Sequence, residues 1–184
     1  MTTSHSNRFT IRAAEPGDAE AISAQLGEDG VFEGTLQMPY TAVASRAERF
    51  SKVEPNSVRI VAVERDTSSG EERVVGCAGL YPVSPSLRQA HTRMLGISVG
   101  KAWQGQGVGH HLMMALLDWA DNWAGVLRIE LCVYTDNKRA IVLYQRHGFV
   151  QEGVIRAHAL RNGAYVDSVL MARLHPRQAL LPKV

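Results

Sequence analysis

Cysteine is nearly absent from this chain: Cys77 and Cys132 are the only two, and each stands alone on an apolar stretch. They read as small core residues rather than a redox or metal pair, and such sparing use suits a reducing cytoplasm. Long apolar runs are lacking too. None approaches the ~20 residues of a membrane helix, and the opening MTTSHSNRFT has no apolar segment of a signal peptide. Charge of one sign is scarce: the net charge is +2 over 184 residues. With no basic run or aromatic–basic interleaving, nucleic acid is disfavoured as the main partner. The seven histidines form no metal motif; His110 and His111 are adjacent and so point different ways on a helix. No metal, nucleic acid or membrane partner is expected, and no internal repeat or low-complexity segment is visible.

What remains is the composition of an ordinary globule, 45% apolar and 21% charged. The length suits one domain with a sizeable core. The expected layout is a disordered start at 1–6, a single domain at 7–175 and a tail at 176–184.

The chain is organised around Leu95–Trp123, LGISVGKAWQGQGVGHHLMMALLDWADNW. A strand runs into a glycine-rich turn, Gln104-Gly105-Gln106-Gly107-Val108-Gly109, and then a long amphipathic helix. Glycines let the backbone approach a ligand closely. The helix start offers amide N–H groups with no internal partner at the positive end of its dipole. Together these read as a pyrophosphate cradle, including His110 at its edge. The dinucleotide fingerprint fails, because His110 stands where a third glycine is needed, and the P-loop fails for want of G-K-[ST].

Elsewhere Phe9–Arg12 alternates as a first strand. Pro16 opens a helix with Ala19, Ile22, Ala24 and Leu26 on a weak apolar face. A loop at 31–40 precedes a second helix, begun at Thr41 or Ser45 and ended near Lys52 by Glu54-Pro55-Asn56. Strands follow at 57–65, 73–81 and 91–99, the first two joined by a hairpin loop at 66–70. The helix after the glycine turn should bury Val108, Leu112, Ala115, Leu116, Trp119 and Trp123, with Met113 and Met114 to the side. A buried strand at 127–134, a short helix from Asp136-Asn137 to about His147, and strands at 149–159 and 164–174 complete the chain; Asn162-Gly163 marks the last turn. The order β, α, α, β, β, β, α, β, α, β, β predicts an α/β (α+β) mixed sheet with helices on both faces.

Two motifs carry a family resemblance. Gln104-x-x-Gly107-x-Gly109 resembles the acetyl-coenzyme A signature of the GNAT superfamily of N-acetyltransferases. Asn137-x-x-Ala140-x-x-x-Tyr144-x-x-x-Gly148-Phe149 resembles that superfamily's second hallmark. The element order is similar throughout. The resemblance implies that Ile97 and Val99 run beside the pantetheine arm, and that residues 104–110 hold the pyrophosphate. It implies that Asn137, besides capping its helix, bonds the pantetheine, and that Ala140 leaves room for it. Gln104 stands where arginine is common, which removes a charge; Lys101, at a common proline position, is one source of replacement.

Tyr144 is either a core tyrosine or, by the resemblance, the general acid for the departing thiolate. A tyrosine near pKa ~10 facing a thiol near ~8.5 makes that transfer uphill by about 2 kcal/mol. Backbone N–H near Val99 would polarise the thioester carbonyl. The acceptor amine must be neutral to attack. A lysine-type amine near ~10.4 costs about 4.6 kcal/mol at pH 7, an α-amine near ~7.8 about 1.1. Glu33, Asp29 and Asp136 are candidate bases, each also readable as a solvated carboxylate.

In the family the first loop and the final hairpin shape the acceptor pocket. Here they supply Phe32, Leu36, Met38, Tyr40, His158 and Tyr165, with Gln37, Arg156 and Asn162 as polar groups. There is no acidic cluster to meet a polyamine; an apolar pocket with an arginine suits a neutral side chain and a carboxylate. The runs 35–39, 121–123 and 160–167 resemble bacterial L-amino-acid N-acetyltransferases. The expectation is direct acetyl transfer from acetyl-CoA to the α-amine of a hydrophobic amino acid. The alternatives are a polyamine, a protein N-terminus or an antibiotic amine as acceptor, or a CoA-binding module without turnover. The terminal hairpin offers strands for a homodimer.

Overall fold

The computed structural model describes residues 8–52, 55–65 and 70–177. The expected disordered start at 1–6, residue Glu54 of the helix break, the hairpin loop at 66–69 and the tail from 178 lie outside them.

Strand β1 (Phe9–Ala13) leads through a 3₁₀ turn at Pro16–Asp18 into helix α1 (Ala19–Leu26), and α2 is Val43–Ser51. Then come β2 (Val58–Arg65), β3 (Glu72–Pro82), β4 (Thr92–Val99), α3 (Val108–Asn122), β5 (Arg128–Tyr134), α4 (Lys138–Arg146), β6 (Val150–Arg161) and β7 (Ala164–Leu174). The sheet has seven strands in the order β1-β2-β3-β4-β5-β7-β6. Only β4–β5 is parallel, and every other pairing is antiparallel.

Strand β2 shows why both faces are covered. Its period-two alternation sends Ile60 and Ala62 into one core and Val61 and Val63 into another. The first core packs under α3 and α4, the second under α1 and α2. Gly76 of β3 lets α3 approach, since a Cβ there would stand 2.9 Å from Val108.

Four side chains depart from the periodicity. Trp123 is 79% exposed, because α3 ends at Asn122 and Trp123 turns out of helical geometry at φ −125°. Met113 is fully buried with Ala120, while Met114 is exposed. The buried stripe of α3 packs on the sheet, and Leu143 of α4 lies at Gly109. Ala24 of α1 faces solvent, and Ser23 and Gln25 are buried instead. Cys77 is buried as expected, but Cys132 is exposed, so it is not a core residue.

The parallel pairing of β4 and β5 is short. It covers Thr92↔Arg128, Arg93↔Ile129 and Met94↔Glu130, and then the strands part. Beyond that point β4 pairs with β3 alone and β5 with β7 alone. The sheet thus opens a wedge in its middle, and the site lies in that wedge.

Candidate active site

The Gly100 N–H donates to Val75 O of β3. Successive residues of a strand point their backbone groups to opposite edges. The Val99 N–H therefore faces the wedge, where β5 has moved away. The Val99 carbonyl on the same side accepts from Gln104 Nε2 at 3.2 Å. Gln104 thus braces the strand end.

The turn that follows needs its glycines. Gly105 has φ +82° and Gly107, the residue that caps α3, has φ +89°. Both lie in the left-handed region that side chains with a Cβ avoid. The N–H groups of Val108, Gly109 and His110 lead into the wedge without intrahelical acceptors; His111 is the first to close a helical bond, to Gly107 O. The second motif meets this turn from α4. Asn137 caps α4 by accepting from Ala140 N at 3.1 Å. Two residues on, Arg139 brings its guanidinium beside Gly105, where an added Cβ would stand 2.4 Å from Nη2. Arg139 forms no hydrogen bond or ion pair with another described residue. It places a cation beside the glycine turn, and sequence reasoning did not single it out because it occupies an unspecified position of the motif.

The wedge holds a cavity of about 1040 Å³. Ile97, Ser98 and Val99 line one wall, Cys132, Val133 and Tyr134 the other, and Tyr144 faces the space between. Gln104, Gly105, Gly107, Gly109, His110, Asn137, Arg139 and Ala140 line it as well. Of the residues expected at a cofactor, Gln106 and Val108 do not. Gln106 bonds Ala102 O and Arg8 outside, and Val108 is core. Lys101 lies against Gly30 and is not in the lining. Tyr134 Oη donates to Thr35 O at 3.0 Å, which ties the loop after α1 across the cavity mouth.

The titratable groups differ in kind. Tyr144 is buried, and that burial alone pushes its hydroxyl up to about 12. Among the described residues its hydroxyl has no hydrogen-bond partner. Cys132 is held above the usual thiol range by burial and then by Glu130, so it is not a ready thiolate. Asp136 is drawn below the usual carboxylate range by its hydrogen-bonded pairing with Arg161, which makes it a poor base. Glu33 lines the cavity and accepts from Gly30 N at 2.6 Å. Asp29 is exposed and is not in the lining. His110 Nδ1 and His147 Nε2 stand 3.1 Å apart, and burial, His110 and Arg173 lower the pKa of His147. Among the described residues no three His, Cys, Asp or Glu side chains are grouped to hold a metal.

A second cavity, about 300 Å³, shares Thr35, Ile97 and Ser98 with the first. It lies on the α1/α2 side, with Phe50, Tyr81, Cys77, Arg49 and Arg59 in its lining. Of the residues expected at the acceptor, Gln37 lines it, whereas Phe32, Leu36, Met38, Tyr40, Arg156, His158, Asn162 and Tyr165 line neither cavity. Leu36, Met38, Tyr40 and Tyr165 face solvent. His158 contacts Ser168 Oγ at 2.8 Å.

A splayed mixed sheet with an amide cradle and a cationic rim defines an acyl-transferring enzyme that takes a bulky anionic donor. Residues 30–149 match the Acetyltransferase (GNAT) family, and the chain belongs to that family: it is a GNAT N-acetyltransferase. It is similar to the L-amino acid N-acetyltransferase AaaT of Escherichia coli K12, 37% identical over 91% of this chain and 99% of the relative. It is also similar to the spermidine N(1)-acetyltransferase of Vibrio cholerae, 25% identical over 88% of this chain and 90% of that one. The fold matches a phosphinothricin acetyltransferase of Sinorhizobium meliloti in complex with AcCoA, with TM-score 0.80 and 21% identity over 96% of this chain and 94% of that one.

Proposed function

We propose that the enzyme transfers an acetyl group from acetyl-CoA directly to the α-amine of a hydrophobic L-amino acid. The donor is acetyl-CoA, which supplies an activated acyl group and a thiolate leaving group. The chain's own residues fit it: glycines 105 and 107 bring bare amides to the wedge, Arg139 supplies positive charge, and a large cavity runs along Ile97 and Val99. The Val99 N–H is aimed where an acyl oxygen would be polarised. Tyr144 holds a proton at Oη and cannot be ionised near neutral pH.

The observation that carries the acceptor is the second cavity. At about 300 Å³ it is at the small end of ligand clefts, which span ~300–1,000 Å³. It joins the first at Ile97 and Ser98, and its lining has aromatic and aliphatic walls, two arginines and no carboxylate. A polyamine would meet only like charge there. An α-amine also loses its proton more readily than a lysine-type amine, whose neutral form costs about 4.6 kcal/mol at pH 7. The resemblance to AaaT points the same way.

Neither thiol is set up to carry the acetyl group, so transfer proceeds in a ternary complex. The protein acts in the cytoplasm; among the described residues no helix is long and apolar enough to cross a membrane. Strand β6 ends the sheet with Val150, Val154, Ile155 and Leu160 exposed, which suits pairing with a second copy. Thiol release measured over free amino acids, polyamines and peptides tests the reading. Turnover confined to hydrophobic amino acids is expected, and a preference for spermidine or peptides would overturn it.

A further inference from the structure

The second cavity contains two guanidinium groups in different states. Arg59 of β2 is clamped. Its Nε donates to Tyr81 Oη at 3.2 Å and its Nη1 to the Phe50 carbonyl. Its carbon lies 4.9 Å from the centre of the Phe50 ring and 5.7 Å from that of Tyr81. Two rings and two hydrogen bonds fix its plane, yet a guanidinium carries five N–H donors, so three have no acceptor among the described residues. No carboxylate is paired with it among the described residues. Arg49, in the last turn of α2, lines the same cavity and forms no hydrogen bond or ion pair with another described residue. A fixed fork of free donors beside a second arginine with no described partner, in a small cleft without acidic groups, is the arrangement a single carboxylate fits.

We infer that Arg59 and Arg49 together receive the carboxylate of the acceptor. Arg59 is preorganised by Phe50 and Tyr81, and Arg49 closes on the ligand from α2. The carboxylate is then held at one end of the cleft while the amine reaches the junction at Ile97 and Ser98. The apolar side chain is left against Leu26, Phe50 and Ala78. The inference rests on the amino-acid reading above and adds its specificity device: the enzyme selects a free carboxylate and rejects the same amine once that group is an amide.

The test compares kcat/KM for L-phenylalanine and L-methionine with that for their primary amides, in the wild type and in Arg49→Gln and Arg59→Gln. A charge-assisted hydrogen bond is worth ~1.5–3 kcal/mol. The wild type should therefore favour each acid over its amide by about ten-fold or more. Either substitution should raise KM for the acid by at least about ten-fold and bring the acid-to-amide ratio toward one. Arg49→Lys should recover part of the preference, since a point charge replaces a fork. Acetyl-CoA affinity, read by calorimetry, should stay within two-fold and show that each variant is folded. Amino acids turned over with an acid-to-amide ratio unchanged in both glutamine variants would overturn the anchor alone. A wild type that releases thiol with no free amino acid would overturn the amino-acid reading and the anchor with it.

Discussion

Arg139 and Gly105 are matched: no residue with a side chain fits at position 105 while the Arg139 guanidinium keeps its place, 2.4 Å from where a Cβ would stand. Gly105 also has φ +82°, a backbone conformation that favours glycine whatever Arg139 does. The pairing returns to the cradle the charge that Gln104 does not provide. Arg139 is exposed and has no partner among the described residues, so its removal should cost little stability, within ~0.5 kcal/mol. Arg139→Ala should weaken acetyl-CoA binding about ten-fold, and the remaining affinity should depend less on salt. Gly105→Ala should weaken binding further, because left-handed strain of ~1–2 kcal/mol adds to the displaced guanidinium. Calorimetric titration with CoA at two salt concentrations checks both.

Burial changes the arithmetic at Tyr144. With its hydroxyl pushed up to about 12, proton transfer to a thiol near ~8.5 is uphill by roughly 3.5 units, about 5 kcal/mol. That figure compares a buried acid with a solvated thiolate. A thiolate released into the same cavity pays the same desolvation penalty, which narrows the gap. Tyr144→Phe should lower kcat by about 10- to 100-fold and leave acetyl-CoA affinity within two-fold. The pH profile has a definite sign. Activity should rise as the acceptor amine loses its proton, with no falling limb from Tyr144 below pH ~10. The folded state favours the neutral phenol, so this stabilising contribution is fully present below the unfolded value of ~10. It is lost as pH climbs through about 12. A falling limb that vanishes in Tyr144→Phe, seen below pH 9, would contradict this.

The order of elements was legible because the strands and α3 carry clear periods of two and 3.6 residues. The glycine turn before α3 was legible because positive-φ turns demand glycine at fixed places. What stayed hidden has physical causes. Loop 31–40 has no period, so nothing in its residues says that Leu36, Met38 and Tyr40 point outward. Arg49 and Arg59 sit on a polar helix and at the start of a strand. Only the packing of α2 against β2 and β3 brings them into one cavity. Cys132 lies on an apolar strand like a core residue, but β5 has parted from β4 there and uncovers it. The run at 160–167 serves the fold in part: Asp167 accepts from the N–H of Ala157, which stands at φ +49° in a bulge of β6.

The two thiols should behave differently. Cys77 is buried, its thiol pushed up to about 12, whereas Cys132 opens into the large cavity. Iodoacetamide should modify Cys132 alone, slowly at pH 7 and faster as pH rises, since burial and Glu130 hold its thiol up. Bound acetyl-CoA should protect it. The double variant Cys77→Ser, Cys132→Ser should keep measurable turnover, with ~1–3 kcal/mol lost for placing a hydroxyl at the Cys77 site. Complete loss of turnover in a folded double variant would exclude direct transfer.

Asp121 and Arg173 fasten the far end of α3 to β7. Arg173 of β7 donates Nη1 and Nη2 to the two Asp121 oxygens at 2.8 and 2.6 Å, and the side chains are only 11% and 14% exposed. His175 Nε2 meets the Asp121 carbonyl at 3.0 Å, and Arg177 donates to Asn122 at 2.9 Å. The helix that presents the cradle is therefore tied at its far end to the strand bordering β5. Removing one partner leaves the other charge without its pair in a mostly dry place, which costs more than the pair contributes. Asp121→Ala and Arg173→Met should each destabilise the fold by about 2–4 kcal/mol, since each leaves one charge without its pair. The double variant should recover stability relative to Asp121→Ala. Acetyl-CoA affinity at a temperature where all variants are folded should change little, because the cradle's own contacts, from Gln104 to Arg139, lie at the opposite end of α3. Denaturant melts paired with CoA titration separate the two effects. A loss of affinity as large as the loss of stability would mean that α3 transmits strain along its length.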